Sequence, residues 1–177
     1  FQPVGEHFWI GDEFGPYLIK VDRTGKVLAF FETQVDGRTV RSPDHYRVAP
    51  PGGPGQTYQG VNLKRSKGFE GMAASPDGRF LYPLLEGPLW DESIGAWETK
   101  DGKTVLRVLE FSVADEQWTG RSWFYPLEGK DHAIGDFNMI DAQSGLVIER
   151  DNGEGTPDQA CAPAAKDTMA CFSNLPA

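Results

Sequence analysis

Cysteine, histidine, methionine and basic side chains are all scarce in this 177-residue chain, and each shortage removes a class of function. Lysine and arginine together number 17 against 26 acids, a formal charge of -9, which repels nucleic acid and anionic membrane surfaces at long range. No run approaches the roughly 18 apolar residues of a membrane-spanning helix, so no such segment is expected. The sequence contains no GxSxG elbow, HExxH, P-loop, GxGxxG before a helix or EF-hand loop. Serine-hydrolase and nucleotide-dependent mechanisms therefore lose support.

Of the three histidines, His7, His45 and His132, none has a ligand-like neighbour in sequence, although His132 lies four residues before Asp136 and is a candidate general acid or base. The two cysteines, Cys161 and Cys171, sit in a polar, Ala/Pro-rich stretch, "QACAPAAKDTMACFSN". Their spacing does not match a zinc site, and two thiols in one such loop suggest a local disulfide in an oxidising compartment, with free thiols as the alternative. The chain begins at Phe1 without methionine or a signal peptide, so an upstream targeting segment is expected.

Helical periodicity is also sparse, and 21 glycines and 13 prolines make the chain rich in turns. Four hairpin signals combine Asp with a nearby Gly: "VDRTGKV" (21–27), "ASPDGRF" (74–80), "TKDGKTV" (99–105) and "IDAQSGLV" (140–147). Between them lie β-type runs: "FWIGDEF", "YLIKVD", "KVLAFFE", "FEGMAAS", "RFLYPLLE", "TVLRVLEFSV", "RSWFYPLE", "AIGDFNMID" and "GLVIERD". An all-β fold follows, in one domain over 1–177.

A weak internal repeat narrows the architecture. "IGDEF" (10–14) and "IGDFN" (134–138) share IGD, and "GFEGM" (68–72) sets an acid at a comparable strand start. This pattern predicts about three blade-like units of a β-propeller, with long loops or insertions over 41–67, 87–103 and 152–177 stretching the repeat beyond the ~40 to 50 residues of simple blades. In such a ring the innermost strands line the central channel, so the acids at their starts converge. Converging carboxylates repel one another unless a proton or cation lies among them, and a hard ion with oxygen ligands, Ca²⁺ above all, suits the set.

The metal candidates are Asp12, Glu13, Glu70 and Asp136. Neighbouring strand residues face opposite sides, so only one of Asp12 and Glu13 need reach the axis. "LVIERDN" places Glu149 and Arg150 at the end of an apolar strand, where the planar guanidinium suits phosphate or carboxylate. Lys64, Arg65 and Lys67 form a small basic cluster before Glu70 that would attract phosphate in so acidic a chain. Trp90 and Trp97, in the 87–103 insertion, are candidates for a substrate cleft, with packing between blades as the alternative role for these and for Trp118 and Trp123.

Taken together and in this order, "FWIGDEFGPYLIKVDRTGKVL", "GFEGMAASPDGRFLYPLLEGPL", "LRVLEFSV" with "YPLE", and "IGDFNMIDAQSGLVIERDN" resemble the phytase-like, or esterase-like, family of bacterial β-propeller proteins over roughly residues 8–152. Where family members commonly read Asn-Arg-Gly-Phe-Glu-Gly, this chain reads Ser66, Lys67, Gly68, Phe69, Glu70, Gly71. The resemblance implies a secreted or periplasmic protein with phosphoester or ester hydrolase activity, and a chain that lacks both ends of a full ring. The mechanism expected from the residues is Ca²⁺-dependent attack of water on a phosphate ester, with Glu70, Glu149 and Arg150 catalytic and Lys67, Arg65 and Trp90 binding a small-molecule substrate. Two alternatives remain open: a lactonase-like metal-dependent ester hydrolase, and a non-catalytic, calcium-stabilised propeller that binds a protein or glycan partner.

Overall fold

The computed structural model describes residues 1–151. Every regular element among them is a β-strand, and no helix among them is long and apolar enough to cross a membrane. The first sheet is a four-stranded antiparallel meander of β1 (Gln2–Val4), β2 (His7–Gly11), β3 (Tyr17–Val21) and β4 (Val27–Glu32). A small hairpin follows, β5 (Gln34–Val35) with β6 (Arg38–Thr39).

The second sheet begins with β7 (Phe69–Ala74) and β8 (Phe80–Leu85). Its chain then makes a side hairpin, β9 (Trp90–Asp91) with β10 (Ala96–Trp97), before β11 (Thr99–Lys100) leads into β12 (Lys103–Ser112) and β13 (Gln117–Pro126). The main ladder runs β7-β8-β12-β13, with β11 on the first residues of β12. A third unit starts with the hairpin β14 (Ala133–Met139) and β15 (Gly145–Arg150). The all-β, partial propeller expected from the turn spacing is what these stacked units form.

The turns form for the expected reason. The Asp22 carboxylate accepts the backbone N–H groups of Thr24 and Lys26, and Asp141 those of Gln143 and Ser144. Asp77 accepts from the Ser75 hydroxyl and from the Arg79 backbone and guanidinium, which holds its carboxyl down at about 2.

The second sheet lies between the other two units, so its inner strands are buried on both faces. On one side Trp9, Leu18 and Phe31 pack against Met72, Leu81 and Phe111; on the other, Ala73, Leu84 and Leu106 meet Ile134 and Phe137. A third cluster of Val35, Val40, Leu63, Phe69, Leu85, Leu89 and Leu109 seals the 33–63 segment onto the second sheet. Full burial of one such Leu or Phe side chain is worth about 1.5–3 kcal/mol, so these clusters fix how the units stack. Trp118 belongs to this packing: its indole N–H donates to the Glu32 carbonyl at 2.8 Å, and its ring lies edge-on to Phe111.

Stacking brings the end of β2 against the start of β7, so Asp12 and Glu13 lie past a strand end and not at the strand start expected from the sequence. A Cβ on Gly71 would fall 2.9 Å from the Phe137 backbone nitrogen, and one on Gly11 would fall 2.8 Å from the Phe69 Cβ. The absence of side chains at these two positions lets β7 run close to both β14 and β2.

Candidate functional site

Asp12 and Glu13, which lie just past the end of β2, are divided between two tasks. The backbone carbonyl of Asp12 accepts the N–H of Phe69 at 3.1 Å, and that of Glu13 accepts the N–H of Gly68 at 2.9 Å. This short ladder docks residues 12–13 on the entry to β7, and it requires glycine at 68, where a Cβ would lie 2.4 Å from the Glu13 carbonyl oxygen. The Asp12 carboxylate accepts the Gly15 N–H at 2.5 Å and so closes the turn. Glu13 is the acid delivered to Glu70.

Glu70 is placed by a β-bulge. Phe69 pairs with Leu85 and Gly71 with Leu84, so Glu70 is the extra residue of β7, and its side chain is turned out of the ladder. β14 carries a bulge at the equivalent place, but there the extra residue is Gly135, between Ile134 and Asp136. The acid in β14 thus falls one position later than the acid in β7, and a one-residue offset sends a strand side chain to the other face. Asp136 accordingly accepts the Phe137 N–H at 2.8 Å and the Asn138 side-chain amide at 2.9 Å, away from Glu70.

A third acid, which the sequence reading did not single out, completes the group. Glu86 follows β8 and is 6% exposed; its N–H donates to the Gly68 carbonyl at 2.7 Å. Carboxylate oxygens of Glu13, Glu70 and Glu86 lie within 4.8 Å of one another. Lys67 Nζ stands 3.0 Å and Arg150 Nη2 3.5 Å from Glu86 Oε1. Among the described residues, neither Glu13 nor Glu70 has a side-chain hydrogen bond or ion pair. Partial burial, then repulsion from Glu86 and Glu13, pushes the Glu70 carboxyl above its ordinary range; Arg150 and Lys67 oppose the rise. The signal for Glu86 was an acid ending the apolar run "FLYPLLEG", since a charge there must find partners.

The other expected site residues are placed separately. Glu149 lies on β15, and its carboxylate accepts from Tyr125 Oη at 2.9 Å and the Glu128 N–H at 2.8 Å, with His132 Nδ1 at 2.7 Å. Burial works to raise its pKa, but these hydrogen bonds outweigh it and hold the carboxyl below its usual range. Arg65 is paired with Asp44 at 3.2 Å and with the Tyr58 hydroxyl at 3.1 Å. Trp90, on β9, meets Trp97 edge-on at 5.2 Å, and the Lys64 ammonium lies 4.9 Å from the Trp97 ring centre. His132 contacts Glu149 rather than Asp136, and His45 is buried 3.2 Å from Glu32. Cys161, Cys171 and the 152–177 segment lie outside the described residues.

Hard oxygen donors at this separation suit a divalent cation of the Ca²⁺ type, for which three protein oxygens leave several positions to water or substrate. The two cations beside Glu86 make the same place receptive to an anion. Stacked antiparallel blades whose strand ends gather acids define a propeller-like protein with a charged site between its units. A family model, "Phytase-like: Esterase-like activity of phytase", matches residues 1–168, and the chain belongs to that family.

One relative is an uncharacterized secreted protein of Arthroderma benhamiae, 28% identical over 116 residues, which cover 60% of this chain. The chain spans 22% of that relative's length. The relative is fungal, so the bacterial attribution carried by the sequence resemblance is not retained. No solved structure matches the chain.

Proposed function

We propose that the protein is a secreted, metal-dependent hydrolase of phosphate esters whose centre is the Glu13, Glu70 and Glu86 group. The observation that carries this reading is the convergence of three carboxylates within 4.8 Å, with Lys67 and Arg150 reaching Glu86 beside them. A bound divalent cation, with Ca²⁺ preferred for an all-oxygen donor set, would supply Lewis-acid charge to a phosphoryl oxygen and to the attacking water.

The chain's own residues supply the rest. Glu86, buried and fixed by its backbone hydrogen bond, holds the Lys67 and Arg150 cations beside the group, where their charge would offset that of a phosphoryl group. Glu70, with its elevated pKa, is suited to take a proton from water at its carboxylate oxygen. Family membership supports ester hydrolysis in general, and the secreted relative supports an extracellular or periplasmic location.

The test is release of phosphate or alcohol from p-nitrophenyl phosphate, phytate and simple lactones by the full chain, with and without Ca²⁺. The reading expects Ca²⁺-dependent phosphate release that falls about 100-fold or more in Glu70→Gln, with folding intact. Turnover of lactones alone moves the assignment to the lactonase-like alternative. Ca²⁺ binding without turnover leaves a calcium-stabilised module for a protein or glycan partner.

A further inference from the structure

Beside the carboxylate group lies a cleft of about 280 Å³, bounded by Lys64, Lys67, Trp97, Lys130 and His132, with Glu86 on its inner wall. Three lysines on one cleft are notable in a chain of net charge -9. Two of them are engaged by acids, Lys67 by Glu86 at 3.0 Å and Lys130, loosely, by Asp131 at 3.9 Å, while Lys64 stands over Trp97.

His132 is held at the edge of this cleft by a built arrangement. The Glu149 carboxylate, 11% exposed and ionised, can only accept, so His132 Nδ1 must carry the proton in that 2.7 Å contact. Tyr125 donates to the other Glu149 oxygen; its own pKa, pushed up to about 12 by burial and by Glu149, keeps it a donor at neutral pH. Gly129 clears space for the ring, since a Cβ there would fall 2.6 Å from His132 Nε2. Among the described residues, Nε2 has no hydrogen-bond partner. A residue this carefully oriented presents one defined nitrogen to a ligand.

We propose that this cleft is a binding subsite for a phosphate group, free or as a monoester, in which His132 Nε2 and the lysine ammoniums donate to the phosphoryl oxygens. Several acceptor oxygens on one dianion match several donors converging from separate loops, and Trp97 offers an apolar wall for the organic part of an ester. The charged and titratable groups around His132 are Glu149, Tyr125, Glu128, Asp131, Lys130, Lys64, Lys67 and Glu86. Glu149 acts as a positioning residue. The proposal rests on the hydrolase reading for its premise that the ligand carries phosphate and shares Lys67 and Glu86 with that centre, but it needs no metal.

The experiment is an NMR titration of the full chain, labelled at the histidine Cε1 carbon, with inorganic phosphate and separately with a phosphate monoester at constant ionic strength. His132→Gln assigns the signal. The result expected is a saturable shift at His132 that is absent at His7 and His45, and about tenfold weaker apparent affinity in Lys64→Met. Gly129→Ala and Glu149→Gln should each diminish the shift in a folded protein, which a merely structural pairing would not require. A linear drift shared by all histidines, or no shift with either phosphate source, overturns the subsite. Ca²⁺ calorimetry on the same samples separates the two ideas. A phosphate shift without Ca²⁺ uptake keeps the subsite and removes the metal centre, and Ca²⁺ uptake without a shift does the reverse.

Discussion

The second sheet carries charged side chains in two regions that solve the same problem differently. Along β12, each buried charge has its own partner. Arg107 clasps Glu98 through Nε at 2.9 Å and Nη2 at 2.6 Å and adds Ser122 and Asp36, while Glu110, 2% exposed, receives Arg121 at 2.7 Å on each oxygen. At the start of β7, three acids gather beside two cations; Lys67 and Arg150 both reach Glu86, and their charges also act on Glu70. Matched, two-point pairs leave nothing over for a ligand. Partial burial, and after it repulsion from Glu86 and Glu13, raises the Glu70 carboxyl above its ordinary range, and a cation among the three acids would relieve both. This difference separates charges that hold the fold from charges able to bind.

The sharpest way to break the comparison is on the matched side. Arg107→Met leaves Glu98 buried without its partner and should cost about 3–5 kcal/mol, read as a lower urea midpoint. Ca²⁺ affinity per folded molecule should not change. A loss of Ca²⁺ affinity equal to that in Glu70→Gln would merge the two regions into one network.

On the binding side, Gly68→Ala drives a Cβ into the Glu13 and Asp12 carbonyls and should cost about 1–3 kcal/mol. It should also weaken Ca²⁺ binding by displacing Glu13. Stability lost with full Ca²⁺ affinity would show that Glu13 is not needed there.

A smaller effect is expected from acid. The folded pKa of Glu149 is depressed, so its hydrogen bonds contribute stability that is present above its ordinary 4.5 and is lost as pH falls through the lowered folded value. Wild type should therefore exceed Glu149→Gln in thermal stability at neutral pH, and the two should converge in acid. The smallest effect concerns Ser66, whose φ of +52° lies in the left-handed region that asparagine tolerates better than serine. Ser66→Asn, which restores the family's common residue, should stabilise by about 0.5 kcal/mol, measured as a small rise in Tm. A fall in Tm would mean that the hydroxyl itself is required.

Much of this was legible in the sequence. All nine long strands follow from apolar runs bounded by Asp/Gly turns, because local pattern and turn chemistry agree along them. The two-residue ladders β5, β6, β9, β10 and β11 were not, since strands so short carry no periodicity. The site was half legible. Glu13 and Glu70 were readable as acids in comparable segments, although Glu13 lies past the end of β2, and which acids converge depends on the bulges: the extra residue is Glu70 in β7 but Gly135 in β14. Glu86 was missed because its role comes from Gly68 and Lys67, across the β7–β8 hairpin, and from Arg150, which the stacking of units supplies. The family's Asn where this chain has Ser66 has a conformational reason in the left-handed backbone angle there.

The central claim is that the Glu13, Glu70 and Glu86 group binds a divalent cation while Asp12 only closes a turn. Calorimetric Ca²⁺ titration of the full chain beside Glu70→Gln and Asp12→Asn tests it most directly. The account predicts saturable binding that is lost in Glu70→Gln and kept in Asp12→Asn, whose amide oxygen can still accept the Gly15 N–H. Absence of binding in the wild type, or equal binding in Glu70→Gln, would contradict it.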